Sequence, residues 1–322
     1  MGRGNSSMDM VRSDSYPITP LPRAFPCPAT PIPRYPYLKM RILITGAQGQ
    51  LGHALQQALS GEDLTLKDLP EFDLTHSDSE SQIVAARPSV ILHVGAYTNV
   101  DGAEREPHRA MAVNAEGTTL VARAAATLNA RLIYVSTDYV FDGTKSTPYR
   151  EEDVPHPINV YGQSKLAGEI AALTGCPNTL VVRTAWLYGH AGNNFVKTMM
   201  KLAVEKPFLE VVGDQRGCPT NADDLAQALK ELVASDLRGI CHVTNSGDCT
   251  WHEFAEAIVR LMGLSIPVRP ITTEQMGRLA RRPPYSVLAP GQLGMVRALL
   301  PHWKDALARF MKESPRLAST PR

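Results

Sequence analysis

The sequence predicts an α/β protein: a Rossmann-type doubly wound parallel sheet with a smaller C-terminal substrate-binding domain. Three observations predict it. From Met40 onward, short runs rich in Ile, Leu and Val alternate with longer amphipathic stretches, the order expected of a parallel sheet with helices on both faces. The runs are mostly unbroken by polar residues, as strands covered on both faces require. The polar irregularities GAQGQLG, GAYTNVD, STDYVF and RTAWLYG each fall at or just beyond the end of such a run, where open α/β sheets bind their ligands.

The elements follow in order. MRILITG reads as a buried strand, LGHALQQALS as a helix, LTLKD as a second strand and SESQIVAAR as a second helix. SVILHVGA is a third strand, RAMAVNAEGTTLVARAAATLN a helical region and RLIYVSTD a fourth strand. The helix YGQSKLAGEIAAL then leads to another apolar run, NTLVVRTAWLYG. Beyond Tyr188 the pattern loosens. GNNFVKTMMKLAVEKP reads as a helix, LEVVGDQRGCPTNADDLAQALKELV as strand, loop and helix, and WHEFAEAIVRLMG as a helix. Residues 40–185 are therefore expected to form the dinucleotide-binding domain, with segments of about 220–250 returning to its sheet, and residues 186–322 to form mainly the substrate-binding domain. RRPPYSVLAP is interrupted by proline and polar, and pocket lining and surface loop are equally open readings of it. Residues 1–39 hold eight prolines and no apolar periodicity, which reads as a disordered Pro-rich extension upstream of a natural start at Met40.

Composition narrows the function. With 43% hydrophobic and 20% charged residues, the 322-residue chain can bury a sizeable core. Thirty-three basic against thirty-two acidic residues leave a net charge of +1, with no broad footprint for nucleic acid or membrane. No run approaches the ~20 apolar residues of a membrane span. The five cysteines are odd in number and lack C-x-x-C, which fits a reducing cytoplasm. His252-Glu253 has no second histidine four residues after His252, and no metal is expected.

Gly46, Gly49 and Gly52 form G-x-x-G-x-x-G between a strand and a helix. Such glycines allow a tight turn and let a pyrophosphate approach the backbone N–H groups at the helix start. Asp68 ends the second strand, close to the ~20-residue offset at which an acid binds the adenosine ribose. Lys67 beside it leaves the choice between NADH and NADPH open. Asp73 opens DLTHSD, as a helix cap, an adenine contact or both.

Tyr161 and Lys165 stand four apart at the start of a helix, so phenol and ammonium share one face. Ser136, Thr137 and Asp138 close the fourth strand twenty-three to twenty-five residues earlier. Glycine loop, strand-end hydroxyl and Y-x-x-x-K in this order resemble the extended short-chain dehydrogenase/reductase superfamily. The chemistry explains the residue types. Reducing a ketone needs a hydride and a proton, and Tyr161 would donate the proton. Lys165 would lower the phenol's proton affinity and bind the nicotinamide ribose, and Thr137 would polarise the carbonyl.

RILITGAQGQLG, GAYTNVDGAEREP, AVNAEGT, STDYVFDG, PINVYGQSKLAGE, RTAWLYG, GNNFVKTM, DQRGCPT and RRPPYSVL together resemble the dTDP-4-dehydrorhamnose reductase family, from Met40 to the C-terminal region. The resemblance implies reduction of the 4-keto group of dTDP-4-dehydro-L-rhamnose by NADPH or NADH. It places cofactor contacts at Gly49, Gln50, Leu51, Asp68, Asp73, Leu74, Gly95 and Ala96, beside Gly46, Gly52, Tyr161 and Lys165. It places sugar contacts at Thr98, Val100 and Trp186, although a tryptophan is more often a core aromatic; Thr137 and Asp138 stand at the reacting end, and Asn194 and Arg282 are candidates for the nucleotide end, where an arginine fork suits a pyrophosphate. Two departures stand out. Ala54 occupies the place of a glutamate that binds magnesium at a dimer contact in some members, so magnesium is not expected, although a homodimer is compatible with the sequence. Gln48 and Ala289 stand where the family usually has asparagine and aspartate. Two rival readings share the fold: a dinucleotide-binding regulatory subunit like methionine adenosyltransferase β, and a nucleotide-sugar epimerase.

Overall fold

Ile42, Leu43 and Ile44 are all buried, and consecutive apolar residues can be hidden only where a strand is covered on both faces. Arg41–Thr45 accordingly forms β1, in the interior of a six-stranded sheet. The computed structural model describes residues 39–289 and 300–313; the Pro-rich extension expected before Lys39 lies outside them. The other strands are β2 (Asp63–Lys67), β3 (Val90–His93), β4 (Arg131–Thr137), β5 (Thr179–Thr184) and β6 (Gly239–His242). Their order is β6-β5-β4-β3-β1-β2, and every pairing is parallel. β1 passes to β2 on one side and to β3 on the other, so a topological switch point lies between β1 and β3.

The period of two along each strand divides the core. Ile42, Ile44, Leu92, Ile133, Leu180 and Val182 face the helices Gln50–Ala58 and Ala222–Val233. Leu43, Ile91, Leu132, Tyr134 and Val181 face the other layer, the helices Ser79–Ala86, Gly117–Thr127 and Val160–Gly175. The chain returns to the sheet over Ala222–His242, where the helix Ala222–Val233 covers one face and β6 extends the edge beside β5.

The run NTLVVRTAWLYG does not continue as one strand. β5 stops at Thr184, and Trp186 adopts a left-handed conformation, φ 46°. This turns the chain out of the sheet, and Leu187–Tyr188 pairs instead with Thr220–Asn221. A further core then forms from Tyr188, Val196, Met199, Met200, Phe254, Ile258, Trp303, Leu307 and Phe310. RRPPYSVLAP, described as far as Ala289, is laid against the β4 end: Val287 and Leu288 are buried with Val140, Phe141 and Tyr149. Among the described residues no helix is long and apolar enough to cross a membrane.

The helix Val160–Gly175 lies against β4 because of a missing side chain. A Cβ at Gly168 would stand 2.3 Å from both the Asn114 carbonyl oxygen and the Tyr134 hydroxyl. Alanine normally stabilises a helix relative to glycine, but here the clash dominates. Gly168→Ala should destabilise the protein by about 1–3 kcal/mol in urea unfolding; a gain in stability would contradict this packing.

Candidate active site

The glycine loop is a cradle at the switch point. Gly46 has φ 69°, and a Cβ there would lie 2.5 Å from Gly95 Cα at the end of β3. A Cβ on Gly52 would lie 2.2 Å from the Gly46 carbonyl oxygen. Gly49 caps the helix Gln50–Ala58 without a side-chain hydrogen bond, so no side chain occupies its N–H groups. Close backbone approach combined with an open helix start suits a dinucleotide pyrophosphate. Leu51 is buried beneath this turn, and Leu74 packs against Gly95, its Cδ1 3.3 Å from a Cβ built there. Ala96, half-buried, follows Gly95.

Asp68 stands at the end of β2, where its Oδ2 accepts the Gln48 N–H at 2.7 Å and ties the second strand to the loop. Lys67 turns aside and donates to Gln82 Oε1 at 3.0 Å. Asp73 accepts the Thr75 N–H and hydroxyl, both at 2.8 Å. These bonds make a turn ahead of the helix Ser79–Ala86, whose cap is Asp78, so the cap role considered for Asp73 is corrected. The Thr75 hydrogen bonds also lower the Asp73 pKa.

At the end of β4 the structure brings Thr137, Asp138, Tyr161 and Lys165 together. Asn159 starts the helix by accepting the Gly162 N–H at 2.7 Å, which puts Tyr161 in its first turn. Tyr161 keeps part of its surface exposed. Burial pushes its phenol up to about 12, opposed by a hydrogen bond with Thr137. Lys165 is buried, its Nζ donating to the Val135 carbonyl at 2.9 Å and standing 4.1 Å from the Tyr134 ring centroid. Burial brings its ammonium down to about 7, with the Glu169 carboxylate opposing. Thr137 Oγ1 donates to Asp138 Oδ1 at 3.0 Å and accepts the Tyr139 N–H at 3.2 Å. Asp138 is buried, takes a hydrogen bond from Ser286 Oγ at 2.5 Å, and is raised by desolvation to about 7. A neutral acid, a hydroxyl donor and a buried cation thus share one strand end.

The residues expected to read the substrate are more dispersed. Thr98 is exposed, and Val100 is the first residue of the helix Val100–Arg105. Trp186 stacks on Trp251, with ring centroids 3.5 Å apart and planes 6° from parallel, so one indole face is already covered. Asn194 caps the helix Phe195–Glu205 through the Lys197 N–H, and its Nδ2 donates to Gln50 Oε1 at 3.0 Å, clasping the glycine-loop helix. Arg282 places its fork on Asp101, at 2.7 and 2.9 Å, which holds that carboxyl down to about 2. The Asn194 amide and the Arg282 fork are therefore both committed within the protein.

Several contributors escaped the sequence reading. Ser286 lies 148 residues from Asp138. Asn114 sits in a π-helical turn, Ala112–Glu116, where it accepts the Tyr97 N–H and donates to Ser164 Oγ. Its signal would have been a polar residue inside an apolar helical stretch. Arg183 offered a plainer one: a charge within the otherwise apolar run of β5. It pairs with Glu169 of the Tyr161 helix.

The family model described as RmlD substrate binding domain matches residues 40–315. A dTDP-4-dehydrorhamnose reductase from Sinorhizobium fredii is 41% identical over 286 residues, 84% of this chain and 97% of that protein. The chain belongs to the dTDP-4-dehydrorhamnose reductase family. A family member from Streptomyces griseus is 43% identical over 284 residues, 84% of this chain and 93% of that protein. The crystal structure of the Bacillus anthracis enzyme in complex with NADP aligns with TM-score 0.84 and 42% identity, over 86% of this chain and all of that one (100%).

Beside Ala54, ligand atoms of His190, Asp223 and Glu313 lie within 4.8 Å of one another, residues too far apart in sequence to suggest a group. They pair among themselves, His190 with Asp223 at 3.7 Å and with Glu313 at 3.3 Å.

The cradle has a direct test. Gly46→Ala should weaken NADPH binding about tenfold or more, measured by fluorescence titration, because the added Cβ drives Gly46 and Gly95 apart. An unchanged affinity would mean that this close approach is irrelevant to coenzyme.

Proposed function

We propose that the protein reduces the 4-keto group of dTDP-4-dehydro-L-rhamnose to give dTDP-L-rhamnose, using NADPH or NADH. The observation that carries this reading is the convergence of Thr137, Tyr161 and Lys165 at the end of β4, in a sheet whose switch point carries an open glycine cradle. The relatives named for this activity support it. A reduced nicotinamide held there supplies the hydride.

The chain's own residues handle the proton and the developing charge. The Tyr161 phenol, raised further by burial, is protonated at neutral pH and meets the substrate as a neutral acid. Lys165, the adjacent cation, favours the phenolate left when that proton passes to the ketone oxygen. Thr137 Oγ1 already accepts the Tyr139 N–H, so its single proton can turn from Asp138 to the ketone oxygen. Raised to about 7, Asp138 is substantially protonated at neutral pH and then competes less for that hydroxyl proton.

Gly46, Gly49 and Gly52 would hold the pyrophosphate, with Gln50, Leu51, Asp68, Asp73, Leu74, Gly95 and Ala96 around the adenosine side. Thr98, Val100 and Trp186 would meet the sugar. Arg282 would contribute toward the nucleotide only by loosening its hold on Asp101. The four described cysteines are all unpaired, which supports a cytoplasmic setting.

The assay generates dTDP-4-dehydro-L-rhamnose in situ and follows coenzyme oxidation together with product identity. Stoichiometric oxidation with formation of the 4-hydroxy sugar is expected. No ketosugar-dependent oxidation with either coenzyme would sink the reading. An epimerase would consume no net coenzyme, and a regulatory subunit would co-purify with an adenosyltransferase. Tyr161→Phe should lower kcat by about 10²- to 10⁴-fold while coenzyme affinity is retained; near wild-type turnover would remove Tyr161 from the role of proton donor.

A further inference from the structure

The ion pair behind the Tyr161 helix has no part in the chemistry above. Glu169 and Arg183 have no solvent exposure. Arg183 Nε meets Glu169 Oε1 at 2.8 Å and Nη2 meets Oε2 at 2.6 Å, while Ser136 Oγ donates to Oε1 at 2.6 Å. Arg183 Nη1 finds no hydrogen-bond partner among the described residues. A buried pair adds little stability over well-packed apolar side chains, and a buried donor without a partner adds a further cost. Stability alone is a poor reason to keep it.

Position is a better reason. Ser136 directly precedes Thr137, and Glu169 lies one turn beyond Lys165 and two beyond Tyr161 along the same side of the helix. One carboxylate therefore joins the strand end that carries Thr137 to the helix that carries Tyr161 and Lys165. We propose that Glu169, clamped by Arg183 and Ser136, is a positioning residue that keeps the Lys165 ammonium charged beside Tyr161 during reduction; this rests on the reductase reading.

The surroundings of Lys165 give Glu169 this role. Tyr134 faces the ammonium from β4 and His93 from β3, Glu169 acts on it from its own helix, and Tyr161 lies one turn before Lys165 on that helix. Asp138 acts on Tyr161 from the β4 end, and Arg183 stands behind Glu169 on β5. His93, held between Thr45 and Thr118, is brought down to about 3 by burial and is neutral. Burial raises Tyr134 well above its ordinary value, so it is neutral too. Glu169 is the neighbour whose charge opposes the loss of the Lys165 proton.

The test follows Lys165 itself in the coenzyme-bound enzyme, through the ¹³Cε signal of labelled lysine, alongside the pH profiles of kcat and KM. Glu169→Gln removes the charge and leaves Arg183 uncompensated. Glu169→Gln with Arg183→Met restores neutrality and covers the case in which the single variant fails to fold. In whichever variants fold, the Lys165 titration and the alkaline limb of kcat should move down together, by about one pH unit, a tenfold loss of proton affinity, in the double variant and further in Glu169→Gln, with KM little changed. Ser136→Ala keeps the charge and should leave the Lys165 titration in place. An unmoved Lys165 titration in the folded double variant would overturn the proposal. Lys165 titrates whether or not a ketosugar is turned over, so absence of turnover in the wild type would count against the reductase reading alone.

Discussion

The close approach of the helix Val160–Gly175 to the end of β4 is the constraint on which the site depends. Two glycines on the helix permit it. A Cβ on Gly162 would stand 2.1 Å from the Tyr139 carbonyl oxygen, and one on Gly168 would strike Asn114 and Tyr134. With the backbones this near, Lys165 reaches the Val135 carbonyl on β4, and Glu169 reaches Ser136. Thr137, the next residue on the strand, then meets Tyr161 in the first turn of the helix. Larger residues at either glycine would separate the hydroxyl donor from the phenol before any chemistry could begin.

Closeness also makes the site dry, and dryness decides its electrostatics. Burial disfavours every charged form: the Tyr161 phenolate, the Asp138 carboxylate and the Lys165 ammonium alike. For Asp138 this is useful, because it favours the protonated form, and the Tyr161 phenol is neutral at pH 7 in any case. For lysine it is a difficulty, because the phenolate left after proton transfer needs a cation nearby. Glu169, held in place by Arg183, is the neighbour whose charge resists that loss.

Much of the fold was legible because its signals are local. Strands buried on both faces leave unbroken apolar runs, and a strand-glycine-helix junction is contiguous in sequence. Tyr161 and Lys165 could be read as a pair because helical pitch alone puts them on one side. What could not be read depends on long separations or on single backbone angles. Asp101 and Arg282 meet across 181 residues, so the fork expected to face a nucleotide is found on a carboxylate. Trp186 leaves the sheet through one left-handed residue inside what reads as a continuous strand. The π-helical turn that aims Asn114 leaves no period of its own in five residues. Sequence also assigned Glu169 no role, since a glutamate on a helix is ordinarily solvated, and only its burial against Arg183 marks it out.

The central claim is that this site delivers a hydride to the sugar's C4 while Tyr161 protonates the oxygen. The most direct measurement supplies coenzyme deuterated at the transferable C4 position and reads the product by NMR. The account predicts one deuterium, on C4 of the deoxysugar, formed together with one equivalent of oxidised coenzyme. A product without deuterium at C4, or a sugar altered with no net oxidation of coenzyme, would contradict it.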